Sequence, residues 1–451
     1  MKHKLLFYLL LALIATMVIA CQPTPNAEAV VSRAEGTLEQ AVRAVPEKPY
    51  HYEAPAHWKE TMTVRDHSVI IDADVEVPKT DEFPVYTLHN SNFDRQMCID
   101  TLSAVYGDAA KLREQLYSYD EVLTDLQNVE KGMLTGIDEV TGELIWQPYE
   151  GQEEDAAKLR QLLTELDVQD TFIPFTASNL DFPVIDRAVQ FEDGQKAYIY
   201  CTDNFFRIRR DRSCNIQLEN WVLQGDATPG ERRHPLENIQ ISEQDAIEAG
   251  NQVIKRLGQD GNIALASSHK ARATESYTYR VLGEGYLLTY VQNTAGAVPF
   301  DYRNYIDSYV LAFTQKQDAY AEYLPQEWIE IFITENGVLS FAWGDPKEIV
   351  NTANSNVALL SFDKIQESIR NLLTYGVSGY DNTTNDDFGA LLISRITLGT
   401  SIQQVPDQGE EAFLVPTWMV TLTTENDQEK NIDLAVLMIN ALDGSYVSRL
   451  G

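Results

Sequence analysis

The chain has 451 residues and a formal net charge of -33 at pH 7, from 35 Lys and Arg against 68 Asp and Glu. Hydrophobic residues make up 44% of the sequence, an ordinary share for a globular protein. Because so negative a chain repels phosphate groups, the composition disfavours nucleic acid and anionic lipid headgroups, and we predict no nucleic-acid partner. The acidic residues are dispersed along the chain, which is typical of a solvated surface.

The beginning of the sequence has the pattern of a lipoprotein signal peptide. Lys2 and Lys4 are cationic, and the apolar run that follows is shorter than the roughly 20 residues that a membrane span needs. It ends in the small Ala20 followed by Cys21. We therefore expect residues 1–20 to be removed and the Cys21 thiol to carry a diacylglycerol. An ordinary signal peptide with an incidental cysteine is the alternative.

An acylated Cys21 predicts where the protein lies. Acyl chains contribute about 0.8 kcal/mol per buried methylene, so two or three chains would hold the protein stably in a lipid bilayer. The predicted location is extracytoplasmic, on the outer face of the cytoplasmic membrane. Residues 21–60 contain five prolines around a helix-like stretch at 29–45. They are predicted to be a tether between the lipid and the folded part.

The remaining chain is long enough for two or three domains. Strand-like alternation begins near Thr61, and a polar stretch at 225–235 with Gly, Pro and two adjacent arginines is typical of a linker. The predicted folded parts are an N-terminal α+β domain at 61–235, a first helix-plus-sheet module at 236–350 and a second at 351–451.

The N-terminal domain is predicted to mix strands and helices. Residues 63–77 alternate as a strand, and apolar residues recur at helical spacing at 108–130 and 153–166. Residues 188–219 are predicted to form a meander of strands. Cys201 and Cys214 flank a hairpin in this meander, so they are either a disulfide pair or two buried thiols.

The second half of the chain repeats one order of elements. Helices are predicted at 242–257, where Ser242 and Asp245 resemble a capping box, and at 361–373. Several apolar strands follow each helix. The tight-turn residues of the last hairpin in each copy are Asn336 and Gly337, and Asp443 and Gly444. We predict duplicated modules in which a helix covers one face of an antiparallel sheet, an α+β fold.

No catalytic, metal or cofactor motif is present. The sequence lacks a Gly-x-Ser-x-Gly elbow, a phosphate-binding Gly-rich loop and a His-Glu-x-x-His motif. His51, His57, His67 and His89 fall in one region, but their spacing is irregular and predicts solvated or singly hydrogen-bonded side chains. We predict no catalytic residue, no metal and no cofactor, and therefore not an enzyme.

Several segments resemble a known but uncharacterised group of proteins. The segments are the lipobox with 21–25, then 69–78, 83–86, 327–330 and 439–444. Together they resemble a family of uncharacterised lipoproteins from low-GC Gram-positive bacteria, known only as a domain of unknown function. More distantly, residues 415–418 and 440–444 resemble PepSY-like and YycH/YycI-like modules of extracytoplasmic regulators. That resemblance implies binding to other proteins, including sensor kinases.

These observations favour a non-enzymatic, membrane-anchored lipoprotein that binds an extracytoplasmic protein or peptide, and so modulates a sensor kinase or a secreted enzyme. The alternative is a lipoprotein that binds a small molecule or a cell-wall glycan. A hydrolase with an unfamiliar site is the third hypothesis.

Overall fold

The computed structural model describes most of the chain outside its N-terminal segment. The described residues are 37–43, 52–64, 67–107, 110–137, 144–212, 214–218, 236, 238–275, 280–293, 297–301, 303, 325–376, 390–404, 412–424 and 435–447.

Helices and strands alternate along the described chain. The helices are α1 (Thr37–Arg43), α2 (Arg95–Tyr106), α3 (Tyr119–Lys131), α4 (Gln152–Glu165), α5 (Glu243–Arg256) and α6 (Phe362–Asn371). The strands are β1 (His57–Val64), β2 (His67–Glu76), β3 (Val85–Asn90), β4 (Lys111–Arg113), β5 (Met133–Ile137), β6 (Leu144–Gln147), β7 (Phe172–Pro174), β8 (Ile185–Gln190), β9 (Lys196–Cys201), β10 (Phe205–Arg209), β11 (Cys214–Leu218), β12 (Ile263–Glu275), β13 (Val281–Gln292), β14 (Trp328–Thr334), β15 (Gly337–Gly344), β16 (Lys347–Asn354), β17 (Leu391–Gln404), β18 (Ala412–Thr424), β19 (Ala435–Asn440) and β20 (Tyr446–Val447).

The chain forms two compact units. Among the described residues, the first unit contains 37–86 and 352–447, and the second contains 87–303 and 325–351. The first unit therefore joins both ends of the described chain. This division differs from the predicted boundaries at 235 and 350, because the β1–β2 hairpin belongs with the C-terminal strands.

The first unit is built on a mixed sheet with the order β1-β2-β17-β18-β19-β20. β2 and β17 pair in parallel, with Ile71 opposite Ile393. Alternate residues of β2 are buried, which is the pattern expected of a strand with one face on a core. The apolar stripe of α6 packs into that core, where the buried Trp418 ring contacts Tyr52 and Phe362.

The second unit contains a longer sheet with the order β11-β12-β13-β14-β15-β10-β9-β8-β4-β7. Helix α5 buries Ala246, Val253 and Ile254 against one face of this sheet. Gly250 lets the helix approach closely, since a Cβ there would lie 2.4 Å from the hydroxyl of Tyr290. Helix α2 packs into the same core.

Both units contain a helix followed by four antiparallel strands in sequential order. In the second unit these are α5 and β12 to β15, and in the first unit α6 and β17 to β20. A register shift marks the same place in both copies. Ala266 in β12 and Ser394 in β17 are each the fourth residue of their strand, and each interrupts the pairing. The α+β fold class is confirmed, and the shared bulge supports the predicted duplication.

Two features of the N-terminal part differ from the sequence pattern. The apolar spacing at 108–130 predicts one helix, whereas the chain forms the short strand β4 and starts α3 only at Tyr119. The start is fixed by a capping box, in which the Ser118 hydroxyl and the Glu121 carboxylate each bind the other's backbone N–H. β11 leaves the predicted meander and pairs with β12.

Within the described ranges, no helix is both long and apolar enough to cross a bilayer.

Candidate functional site

The residues singled out in the sequence do not form a site. Cys21 lies outside the described residues. Glu335 and Asn336 form the turn between β14 and β15, and Gly337 begins β15 with a φ of +90°. In the last hairpin, Asp443 accepts hydrogen bonds from the backbone and hydroxyl of Ser445, and Gly444 has a φ of +75°. These turn residues have structural roles.

Among the side chains that the structure describes, the early histidines form no metal site. His51 lies outside the described residues. His57 on β1 has its Nε2 2.7 Å from Asp72 and its Nδ1 3.0 Å from Asp74, both on the exposed face of β2. The hydrogen bonds with Asp74 and then with Asp72 raise the pKa of His57. Among described residues, no cluster of three His, Cys, Asp or Glu side chains could hold a metal ion.

Strand β10 carries two half-buried arginines, Arg207 and Arg209. Its sequence runs Phe205, Phe206, Arg207, Ile208, Arg209. Phe206 and Ile208 are buried in the core that α5 and α2 cover. Since side chains alternate along a strand, Phe205, Arg207 and Arg209 lie on the opposite face of the sheet.

Strand register fixes the neighbours of the two arginines. Arg207 lies opposite Tyr200 of β9 and Ala342 of β15. Arg209 lies opposite Tyr198 of β9 and Ser340 of β15. We call this surface the arginine face, defined as the described residues Tyr198, Tyr200, Phe205, Arg207, Arg209, Ser340 and Ala342. It combines two cations with aromatic rings, and its β15 side has small side chains.

Neither arginine of this face forms an ion pair within 4.0 Å with a residue that the structure describes. The guanidinium carbon of Arg207 lies 5.7 Å from the ring centre of Tyr200 and 5.6 Å from that of Phe205, so its described contacts are with aromatic rings. In the described part of the chain, no carboxylate forms an ion pair with Arg207 or Arg209. The Nε of Arg209 is buried and has no hydrogen-bond partner.

Three other buried or half-buried arginines of the same unit are neutralised, whereas the half-buried Arg210 forms no ion pair with a described residue. Their ion-pair partners lie within 4.0 Å: Arg113 with Glu121 at 3.1 Å, Arg272 with Glu284 at 2.5 Å, and Arg303 with Asp301 at 2.8 Å and Glu330 at 3.1 Å. Within the described ranges of a chain with 68 acidic residues, Arg207, Arg209 and Arg210 of one short segment thus have no ion pair.

The pKa shifts of Arg207 and Arg209 show that burial disfavours their charged forms. Burial lowers the pKa of both guanidinium groups, and the positive charge of Arg207 lowers the pKa of Arg209 further. The charges of Tyr200, Asp186 and Cys214 oppose the effect of burial on the pKa of Arg207 without reversing it. Arginine nevertheless stays protonated in proteins at neutral pH. The two half-buried positive charges therefore lack the pairing that usually compensates the desolvation of a charge. An anion bound between the two guanidinium groups would supply this compensation.

A second aromatic group borders the arginine face. Phe205 and Trp328 both lie opposite Gly344, and their rings are 5.9 Å apart. Glycine is required there, because a Cβ on residue 344 would lie 2.3 Å from the indole nitrogen of Trp328. Arg303 lies 4.1 Å from the centre of the Trp328 ring and pairs with Glu330. Glu330 is thereby engaged by Arg303 and not by Arg207.

Next to Trp328, Glu327 is a buried carboxyl group. Only 2% of its surface is exposed, and the Trp343 indole donates a hydrogen bond to it at 2.9 Å. Burial raises the pKa of Glu327 to about 7. Burial also lowers the pKa of the nearby Lys347, whose ammonium group donates to the Asp345 carbonyl at 3.0 Å. Asp345 itself has a φ of +51°, a left-handed conformation that is uncommon outside glycine.

The arginine face was not identified from the sequence, although a signal for it exists. Arg207, Arg209, Arg210 and Arg212 form a basic cluster in a strongly acidic chain. Their alternation with Ile208 in a predicted strand places two of them on one face. Which carboxylates neutralise them depends on strand pairing, and the pairing of β10 with β15 spans more than 130 residues of chain.

No family model and no curated protein matches the chain. Among solved structures, the chain is similar to an uncharacterised protein from Eubacterium rectale ATCC 33656, with 10% sequence identity and a TM-score of 0.44. The match covers 91% of this chain and 98% of that one.

Proposed function

We propose that the protein is a lipid-anchored, extracytoplasmic, non-enzymatic binding protein. Its ligand would be a carboxylate-bearing segment of another protein or peptide, bound at the arginine face. The observation that carries this proposal is the pair of half-buried arginines, Arg207 and Arg209, without a counter-ion in the described chain.

The chemistry of the face favours carboxylates. A guanidinium group presents a planar set of donors that binds a carboxylate through two parallel hydrogen bonds. Tyr200 and Phe205 lie beside Arg207 and offer apolar contact to the rest of a peptide. Aromatic and arginine side chains are the types enriched where proteins bind one another.

The net charge of -33 favours a selective site. Anions are repelled by the chain as a whole, so an acidic ligand binds only where positive charge is locally uncompensated. Arg113, Arg272 and Arg303 already have carboxylate partners, and Arg210 contacts the rings of Tyr106 and Phe191. Arg207 and Arg209 lie together on one face of the sheet, which makes this face the place where an acidic segment gains most.

The location and the role as a modulator rest on sequence features. The predicted lipobox at Cys21 and the resemblance to PepSY-like and YycH/YycI-like modules support a membrane-bound protein that modulates a sensor kinase or a secreted enzyme. Metabolic labelling with palmitate tests the anchor. We expect the wild type to be labelled and a Cys21→Ala variant to be unlabelled and released from the membrane fraction.

Binding is tested with the full chain and a library of acidic peptides immobilised beside copies in which every Glu is replaced by Gln. We expect binding to acidic members only, weakened about tenfold to a hundredfold in Arg207→Gln and Arg209→Gln, because hydrogen bonds to charged groups contribute about 1.5–3 kcal/mol. Arg160→Gln is the matched control, since Arg160 is a surface residue paired with Glu130 and Glu153.

Equal binding of the acidic and neutral peptides would contradict the proposal, as would binding that both β10 variants retain. Succinate is included as a free dicarboxylate. Binding of succinate through the same two arginines, without binding of any peptide, would favour the alternative of a small-molecule lipoprotein.

A further inference from the structure

Two cysteines distant in the sequence meet in the core of the second unit. Cys98 lies on α2 and Cys201 ends β9, and their sulfur atoms are 2.9 Å apart. Both side chains are fully buried, with 0% exposure. A disulfide bond is about 2.05 Å long, so the sulfur atoms need to approach by only about 0.9 Å.

The backbone holds both cysteines in place. The N–H of Phe93, just before α2, donates to the Asp203 carbonyl at 2.7 Å, and Asp203 follows Cys201 by two residues. Asp94 caps α2 by accepting from the Met97 N–H. The start of α2 is therefore fixed directly to the turn between β9 and β10, and the close approach of the sulfur atoms follows from these backbone contacts.

The remaining described cysteine lies elsewhere. Cys214 on β11 pairs across the ladder with Glu275 and packs with Ala271, Ala273 and Phe332. Cys98 and Cys201 belong to the core that α2 and α5 cover, whereas Cys214 belongs to a separate buried cluster. The sequence pattern leaves a disulfide pair or two buried thiols open for Cys201 and Cys214. The structure does not bring these two cysteines together and instead places Cys201 beside Cys98.

We propose that Cys98 and Cys201 form a disulfide bond in an oxidising compartment, with Cys214 remaining a free thiol. The oxidant is a small-molecule or protein disulfide. One cysteine thiolate attacks it and displaces a first thiol, and the second cysteine thiolate then attacks the mixed disulfide and displaces a second thiol. Two cysteine thiols and one disulfide thus become one disulfide and two thiols, so electrons and protons balance.

The environment sets when this bond forms. The hydrogen bond with Cys201 and then burial raise the pKa of the Cys98 thiol, and a thiol reacts only as its thiolate. The exchange therefore occurs during folding or local opening, before the core closes. Once formed, the buried bond is shielded from reductants. It joins α2 to β9, the strand that carries Tyr198 and Tyr200 of the arginine face.

Peptide mapping of the full chain tests the bond. The protein is refolded in a buffer of oxidised and reduced glutathione, denatured, alkylated without reduction and digested with trypsin. We expect peptide 96–111 to be linked to peptide 197–207, and the peptide that contains Cys214 to be alkylated. Cleavage of the link by dithiothreitol, with recovery of both peptides, confirms its chemistry.

Full alkylation of Cys98 and Cys201 in the oxidised sample would overturn the proposal, as would a link from either of them to Cys214. A Cys214→Ala variant is the matched control and should keep the 96–111 to 197–207 link. Because the readout uses refolded wild-type protein, it does not depend on the location or the ligand proposed above.

Discussion

Glu327 is a buried residue whose charge state changes with pH near neutrality. It is almost fully buried and its carboxyl group accepts a hydrogen bond from Trp343. Burial penalises the ionised form, which raises the pKa of Glu327 from an ordinary 4.5 to about 7. The folded protein therefore binds a proton there between about pH 4.5 and pH 7 that the unfolded chain releases.

The sign of the resulting pH dependence follows. A folded-state pKa above the unfolded value means that the contribution to stability is fully present below about pH 4.5 and is lost as the pH rises through about 7. The free energy of unfolding falls by about 3 kcal/mol over this pH range. We expect Glu327→Gln to remove this loss, because glutamine does not titrate. Between pH 4.5 and pH 8, the free energy of unfolding of the variant should therefore rise by about 3 kcal/mol relative to that of the wild type.

Urea unfolding followed by tryptophan fluorescence at four pH values between 4.5 and 8 measures this difference. The control is Glu335→Gln, since Glu335 is exposed in the turn after β14 and should leave the pH dependence of the wild type unchanged. An identical pH dependence in the wild type and Glu327→Gln would show that the buried carboxyl group does not titrate near neutrality.

The duplicated helices α5 and α6 begin differently although both follow a serine. Ser242 accepts a hydrogen bond from the Asp245 N–H at 3.1 Å, and its hydroxyl donates to the Asp245 carboxylate at 2.7 Å. Ser361 precedes α6 in the same position but makes no side-chain capping bond. The capping-box pattern at Ser242 is thus half realised, because the carboxylate bonds the hydroxyl and not the backbone N–H.

This difference predicts unequal effects of the same substitution. Loss of an N-cap side chain costs about 1 kcal/mol. We expect Ser242→Ala to reduce the free energy of unfolding by that amount and Ser361→Ala to leave it within about 0.5 kcal/mol of the wild type. Chemical denaturation of both variants under one set of conditions provides the comparison. Equal decreases in the free energy of unfolding of the two variants would show that the capping hydrogen bond of Ser242 adds nothing to stability.

Local patterns predicted the elements of the duplicated modules well. The apolar stripes of α5 and α6 and the turn signals at Gly337 and Gly444 identify helices and hairpins, because they depend on residues close in the chain. The sequence pattern does not predict β12 as an apolar strand, since its centre of Ser, His, Lys, Ala and Arg lacks strand-forming residues. Its place between β11 and β13 comes from pairing and not from propensity.

At the scale of the whole molecule, the two compact units differ from the predicted domain boundaries because the strand pairing that defines the units is not local. β2 and β17 are more than 300 residues apart in the chain, yet they are neighbours in the first unit. Alternation shows that β2 has one buried face, but it does not name the partner strand. For the same reason, alternation places Arg207 and Arg209 on one face of β10 but does not show that β9 and β15 flank them.

The β2–β17 pairing makes a prediction about folding. Residues 351–451, the second predicted module, should not fold alone, because they lack the β1–β2 hairpin and the buried side chains of Val69, Ile71 and Ala73 that complete the core. We expect this fragment to unfold without a cooperative thermal transition in circular dichroism. Addition of a fragment that contains residues 37–86 should restore the transition.

Substitutions in β2 of the full chain test the same point without fragments. Ile71→Asn places a polar group in the core opposite Ile393 and should cost about 3 kcal/mol or more, enough to abolish the transition of the first unit. Asp72→Asn introduces the same side chain at the adjacent exposed position, where it should leave the cooperative transition of the first unit in place. A cooperative transition of the isolated fragment 351–451, or a first unit that tolerates Ile71→Asn as well as Asp72→Asn, would mean that the C-terminal module folds independently and that β2 is only an accessory strand.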